Sequence, residues 1–311
     1  MAIWTTKDIP DQSGRLAIVT GATGGLGLKT ALALAGAGAE VILAGRNPAK
    51  GDAAEAAIRN RHPGAHVRFE IVDLASLASV AAFAGRLLVA ARPIDILVNN
   101  AGVMALAKRE VTDDGFERQF GTNYLSHFAL TGRLLPLLVA AKARVVQLSS
   151  IAHRRGAIRL EDLNYQHGYK AWPVYGQSKL AMLMFAIELD RRSRAQGWEL
   201  TSVSAHPGIA TTDLLANGPG ASSSFVSWVS NLATRLIGHS AAQGALPQLM
   251  AATMPGVTGG QYFGPQGWQE MKGPPGLAKI EPQALDADVA AKLWVASEAL
   301  TGVVFGEAAL R

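Results

Sequence analysis

Short apolar runs alternate with alanine-rich stretches through the first half of the chain. RLAIVT (15–20), EVILA (40–44), HVRFEIV (66–72), IDILVNN (94–100) and ARVVQLS (143–149) read as strands. They are continuous in hydrophobicity rather than alternating, as strands covered on both faces are. Helices are predicted between them near 25–37, 48–61, 76–91 and 113–141. The rhythm continues with a helix over 173–195, a strand at ELTSVSAHP (199–207), a last strand at GGQYFG (259–264) and a terminal helix at DADVAAKLWVASEAL. Strand–helix alternation of this kind predicts an α/β fold. Its sheet is parallel, with about seven strands, doubly wound, and carries helices on both faces through right-handed crossovers.

One stretch departs from the rhythm. Residues 213–258 hold LANGPGASSS and then an apolar stripe of Phe225, Trp228, Val229, Leu232 and Leu236. It reads either as a lid inserted over a cleft or as an ordinary packed helix. No Pro/Ser-rich linker and no internal repeat divides the chain, so residues 1–311 are expected to form a single domain.

Composition narrows the chemistry. Hydrophobic residues make up 49% of the chain and charged residues 17%, enough for a large core. The absence of cysteine excludes disulfides, thiol catalysis and cysteine-ligated zinc. A net charge of +5 invites anionic partners. The basic clusters, Arg154-Arg155 and Arg191-Arg192-Arg194, are short and lack interleaved aromatics, so no nucleic-acid partner is expected. MAIWTTKDIPDQSGR lacks a signal-peptide pattern, and no run of 18 uncharged apolar residues occurs. No membrane anchor is therefore expected, and the cytoplasm is the expected location.

TGATGGLG (20–27) ends the first strand and opens the first helix. Gly21, Gly25 and Gly27 let the backbone turn sharply and approach a ligand, while the helix N-terminus offers free N–H groups to a pyrophosphate. The competing reading is a glycine-rich turn with no ligand. The second strand ends Ala44-Gly45-Arg46-Asn47. With no carboxylate there for a ribose 2′-hydroxyl, and an arginine able to pair with a 2′-phosphate, NADP(H) is preferred, with NAD(H) as the alternative.

VYGQSKLAMLMF (174–185) sets Tyr175 and Lys179 four residues apart, on one face of a helix. They are either a surface pair or a phenol whose proton affinity the ammonium lowers. Tyr165 and Tyr169 have no lysine four residues on, and His153, His167 and His206 are not spaced as metal ligands.

TGATGGLG, then NNAG (99–102), then YGQSK (175–179), taken in that order, resemble the short-chain dehydrogenase/reductase family over nearly the whole chain. ILVNNAGVM, VVQLSSIAH, AHPGIATTDL and GQYFG are similar to its retinol-dehydrogenase-like branch, as is the long segment between Ser150 and Tyr175. The resemblance implies a Rossmann-like fold and a set of roles. Gly21, Thr23, Gly25, Leu26 and Gly27 would hold the cofactor phosphates, and Arg46 the adenosine end. Asp73 and Leu74 would contact adenine. Asn99, Asn100, Ala101 and Gly102 would lie along the cofactor, and Pro207, Gly208 and Thr212 would close over the nicotinamide. Tyr175, Lys179, Ser150 and Asn123 would be catalytic, with Ser150 on the substrate oxygen and Asn123 holding a proton-relay water.

The resemblance further implies an oxidoreductase acting on a small-molecule carbonyl or alcohol, and a homodimer or homotetramer. The apolar Phe225, Val226, Trp228, Val229, Tyr262 and Phe263 suggest a lipophilic ketone, aldehyde or secondary alcohol. A dinucleotide-sensing regulator on the same scaffold is the alternative.

Overall fold

In the computed structural model, which describes residues 3–209 and 239–306, one sheet organises the chain. Its strands are β1 (Leu16–Thr20), β2 (Glu40–Gly45), β3 (Val67–Ile71), β4 (Ile96–Asn99), β5 (Arg144–Leu148), β6 (Thr201–Ala205), β7 (Tyr262–Pro265) and β8 (Pro275–Leu277). They lie in the order β3-β2-β1-β4-β5-β6-β7-β8. All pairs are parallel except β7–β8. The sheet thus has eight strands among the described residues rather than about seven. The eighth, three residues long and headed by proline, gives no sequence signal of its own and sits at the edge, where a missing N–H is tolerated.

Val19 of β1 stands between Leu43 of β2 and Val98 of β4. The chain winds outward from β1 in one direction and from β4 in the other. The carboxyl ends of these two strands therefore open a crevice at the switch point, where such sheets bind ligands.

Helices α1 (Gly25–Gly36) and α2 (Pro48–Arg61) cover one face, and α3 (Leu77–Ala90) the other. The expected single helix over 113–141 is broken. Gly115 takes a positive φ of 83°, Glu117 caps the Phe120 N–H, and a turn of helix at Arg118–Phe120 runs into a π-helical turn at Gly121–Leu125. Then follow α4 (Ser126–Arg133) and α5 (Leu135–Ala140), separated where Pro136 removes an N–H from the ladder.

The long helix α6 (Ala171–Gln196) ends at Gly197, which adopts the left-handed conformation with φ 69°. Leu246–Thr253 forms α7, and the terminal helix α8 (Ala287–Thr301) lies across α4 and α6. There Trp294 meets Phe128 edge-on at 5.0 Å and lies 5.8 Å from Phe185, both buried. Arg192 stacks over the Trp294 indole at 4.3 Å.

Of the two readings of 213–258, lid or packed helix, the described part follows the packed helix. Leu249, Ala251 and Ala252 of α7 are buried with the β-sheet residues Val146, Val203 and Phe263. Their apolar spacing serves the core. Thr212 and the stripe from Phe225 to Leu236 lie outside the described residues. Among the described residues no helix is long and apolar enough to cross a membrane.

Candidate active site

The glycine loop is built by close packing. Gly21 and Gly25 take positive φ of 66° and 50°, which an L-residue adopts only under strain. A Cβ on Gly27 would overlap the Gly21 carbonyl oxygen and crowd Asn100 Nδ2, and one on Gly21 would sit 3.0 Å from Ala101. Gly24, the N-cap of α1, has no side chain to satisfy the first N–H groups of the helix. They remain available to an anion.

The NNAG turn is fastened to this loop. Asn100 Nδ2 donates to the Thr20 carbonyl at 2.7 Å. The Asn100 and Ala101 N–H groups both donate to the Thr20 hydroxyl, at 2.9 and 3.0 Å. Asn99 faces the other way, fully buried, donating to Thr131 and Gln147, because the pleat alternates faces. Its side chain belongs to the core rather than to the cofactor crevice.

Leu26 and Leu74 likewise pack their side chains into the core. Any ligand contact they make passes through backbone. Asp73 is half-buried at the end of β3, its carboxylate accepting from the Ala75 N–H at 2.9 Å. Arg46 is exposed directly after β2, makes no ion pair among the described residues, and follows Gly45, on which a Cβ would stand 3.2 Å from the Thr23 side chain. A cradle closed by glycines, with helix N–H groups at one end and a guanidinium at the other that have no partner among the described residues, fits a dinucleotide.

α6 brings the chemistry to the other side of the crevice. Tyr175 is 7% exposed, and the Ser150 side chain is the neighbour that favours its ionised form. Ser150 is the N-cap of a short 3-10 helix, Ile151–Arg155, that follows β5. Ser149 points the opposite way, its hydroxyl donating to the Lys179 carbonyl at 2.7 Å. Lys179 is buried, and its Nζ donates to the Leu148 carbonyl at 2.9 Å.

Asn123, within the π-helical turn, holds the Val103 backbone through both ends of its amide, at 2.7 and 3.0 Å. It also donates to Ser178 Oγ at 2.9 Å, and Ser178 donates to the Tyr175 carbonyl. Its side chain thus fixes the helix that carries Tyr175 to the Val103 backbone, with one Oδ1 lone pair left over. A Cβ on Gly102 would stand 3.0 Å from Asn123 Oδ1 and 3.4 Å from Lys179 Nζ, so the turn packs directly against both.

In the protein alone, burial rather than Lys179 governs the Tyr175 phenol. Burial pushes the phenol up to about 12, opposed only by the Ser150 side chain. Burial also pulls the lysine down to about 8. Removing water from both groups outweighs their mutual influence.

A further expectation changes. Tyr262 and Phe263 are buried in β7, the Tyr262 hydroxyl lying 3.3 Å from His153 Nδ1, so neither lines a substrate surface. His206, directly before the Pro207–Gly208 turn, is fully buried.

The structure adds residues that the sequence did not single out. His127 joins the Thr20 hydroxyl (2.9 Å) to the Asn123 carbonyl (2.8 Å). Trp172 stands edge-on to Tyr175 with centroids 6.0 Å apart and is 57% exposed. Trp172 lies on the same helix three residues before Tyr175, which is the one signal that could have pointed to it.

Comparison with known proteins agrees with this geometry. The short chain dehydrogenase family pattern matches residues 15–219, and the chain belongs to that family. It is an oxidoreductase of the nicotinamide dinucleotide type, on the retinol-dehydrogenase-like branch. It is 38% identical to a Mus musculus polyprenol dehydrogenase over 312 residues, 96% of this chain and 87% of the relative. It is 40% identical to Homo sapiens retinol dehydrogenase 13 over 294 residues, 93% of this chain and 85% of the relative. A solved structure of an uncharacterized protein from Mycobacterium paratuberculosis superposes with a TM-score of 0.80 at 40% identity, covering 98% of this chain and 99% of that one.

Proposed function

We propose that the protein is an NADP(H)-preferring carbonyl reductase and alcohol dehydrogenase, acting on a lipophilic ketone, aldehyde or secondary alcohol. The observation that carries the reading is the buried Tyr175 with Lys179 buried one helical turn away, beside the turn that Ser150 caps. The cofactor supplies the hydride.

The chain's residues do the rest. Ser150 donates to the substrate oxygen and orients it beside Tyr175. In reduction Tyr175 gives its proton to that oxygen as charge develops there, and in oxidation it takes the alcohol proton. A phenol at about 12 is fully protonated at neutral pH and is poised to donate. Lys179 spends one N–H on the Leu148 carbonyl and keeps two for the ribose and the proton path. Asn123 and Ser178 fix the register of α6 against the NNAG turn. Gly21, Gly25 and Gly27 with the α1 amides hold the phosphates, and Arg46 pairs with a 2′-phosphate.

The lipophilic substrate is supported by Trp172, a large exposed indole beside the reacting phenol. It is also supported by relatives whose names specify retinol and polyprenol, both alcohols on apolar chains. A panel of alcohols and ketones of graded chain length, followed at 340 nm with NADP(H) and with NAD(H), tests the reading. Turnover with apolar members and a preference for NADP(H) are expected; no turnover across the panel would contradict it.

A further inference from the structure

A strained turn far along the chain reaches back to the site. Gln269 and Glu270 both take positive φ, 53° and 56°, in consecutive non-glycine positions. Such backbone persists only where its surroundings hold it, and it concentrates at functional places. Here it aims the Glu270 carboxylate inward. Oε2 accepts from Arg154 Nη2 at 2.7 Å and from His206 Nε2 at 3.0 Å, while Oε1 accepts from the Lys279 N–H at 2.9 Å.

Each of the two side chains belongs to a different wall of the active site. Arg154 lies on the short helix whose N-cap is Ser150. His206 directly precedes Pro207 and Gly208, and its Nδ1 accepts the Gly208 N–H at 3.2 Å. With Nδ1 accepting, the ring proton sits on Nε2, where it is donated to Glu270. Burial keeps the imidazole neutral, in keeping with that tautomer.

The packing leaves little freedom. A Cβ on Gly264 would overlap His206 Nε2, and one on Gly208 would overlap the Met271 carbonyl oxygen. The Ile209 N–H donates to that same carbonyl at 2.7 Å, tying 206–209 to the strained turn along its length. Burial opposes ionisation of Glu270, but the His206 hydrogen bond, the Lys279 amide and the Arg154 charge hold its carboxyl at about 2. It is an anion at every working pH.

We propose that Glu270 is a positioning residue that sets the Ser150 wall, through Arg154, and the Pro207–Gly208 wall, through His206, at one fixed separation. It touches neither substrate nor cofactor. The inference rests on the proposed reading that the Pro207–Gly208 segment faces the nicotinamide and Ser150 the substrate.

The test uses the full chain and three variants: Glu270→Gln, which keeps shape and loses charge; His206→Asn, which keeps an acceptor for Gly208 but not the donor to Glu270; and the double variant. Dissociation constants for NADPH are measured by fluorescence, and KM and kcat on a carbonyl substrate from the panel. His206→Asn is expected to raise the NADPH dissociation constant about threefold to thirtyfold, the range of coupling through a packed network, and to leave substrate KM near the parent value. Glu270→Gln is expected to raise both. In both variants kcat at saturation falls by a smaller factor. Because the two residues act through one another, the double variant is expected to be no weaker for NADPH than the weaker single variant.

Unchanged binding in either single variant, or additive losses in the double, would overturn the inference. If Glu270→Gln fails to fold, the NADPH constant and KM of His206→Asn carry the test alone. A parent that binds neither NADPH nor NADH contradicts the proposed function instead, so the two failures are told apart.

Discussion

Lys179 Nζ donates to the Leu148 carbonyl at 2.9 Å and stands 5.8 Å from the centroid of the Tyr175 ring. That carbonyl ends β5, so the lysine is positioned by the sheet rather than by its neighbour on the helix. The two groups are buried together, and burial weakens the charged form of each. In the protein alone the pair rests as a neutral phenol beside a destabilised ammonium. A positive charge arriving at the nicotinamide position would then be felt strongly, because little water is present to screen it.

Arg46 is the residue proposed to select the dinucleotide. It is exposed, forms no ion pair among the described residues and stands directly after β2, where the proposed reading puts a 2′-phosphate. Arg46→Ala should weaken NADPH binding about tenfold, as loss of one charge-assisted hydrogen bond at an exposed site does, with NADH binding unchanged. Titrating both dinucleotides against both proteins checks it, and equal losses for the two would exclude the role.

Trp172 is expected to meet the apolar part of the substrate. Removing it takes away a large contact surface without touching the proton donor. Trp172→Ala should raise KM for long-chain substrates about tenfold, consistent with 1–2 kcal/mol of lost apolar burial, and leave KM for short ones near the parent value. Steady-state kinetics across the chain-length series reads this, and a uniform rise would count against it.

His127 makes stability depend on acid. Burial lowers its pKa to about 4, from an ordinary 6.5. Between those values the unfolded chain takes up a proton that the folded chain refuses. Stability is therefore full above about 6.5 and falls as pH drops toward 4. Asparagine at 127 removes the titration while keeping an amide donor for the Asn123 carbonyl. Denaturant unfolding at pH 7 and pH 5 should show a smaller loss for His127→Asn than for the parent; equal losses would place the acid sensitivity elsewhere.

Much of this could be read from the chain. The continuous apolar runs placed seven strands, because strands covered on both faces cannot alternate. The glycine loop was legible because its backbone geometry admits few other residues, as the Gly21–Gly27 contact shows. Ser150 could be separated from Ser149 by the family resemblance, and the structure sets the two on opposite sides. What stayed hidden depends on contacts between distant segments. Glu270 and His206 are 64 positions apart, and nothing local marks either as the other's partner. Tyr262 and Phe263 were read as pocket residues because an aromatic pair looks the same in a core strand as at a cleft. The break in the helix expected over 113–141 escaped because a π-helical turn has the same residue preferences as the helix it interrupts.

Tyr175 is the proposed proton donor and acceptor. Tyr175→Phe removes one hydroxyl and leaves the ring packed against Trp172. The decisive measurement is turnover of an active panel substrate by this variant, paired with its NADPH dissociation constant. At least a hundredfold loss of kcat is expected, in the range by which positioned acid–base groups accelerate reactions, with NADPH binding within about threefold of the parent. Turnover at the parent rate with intact NADPH binding would contradict it.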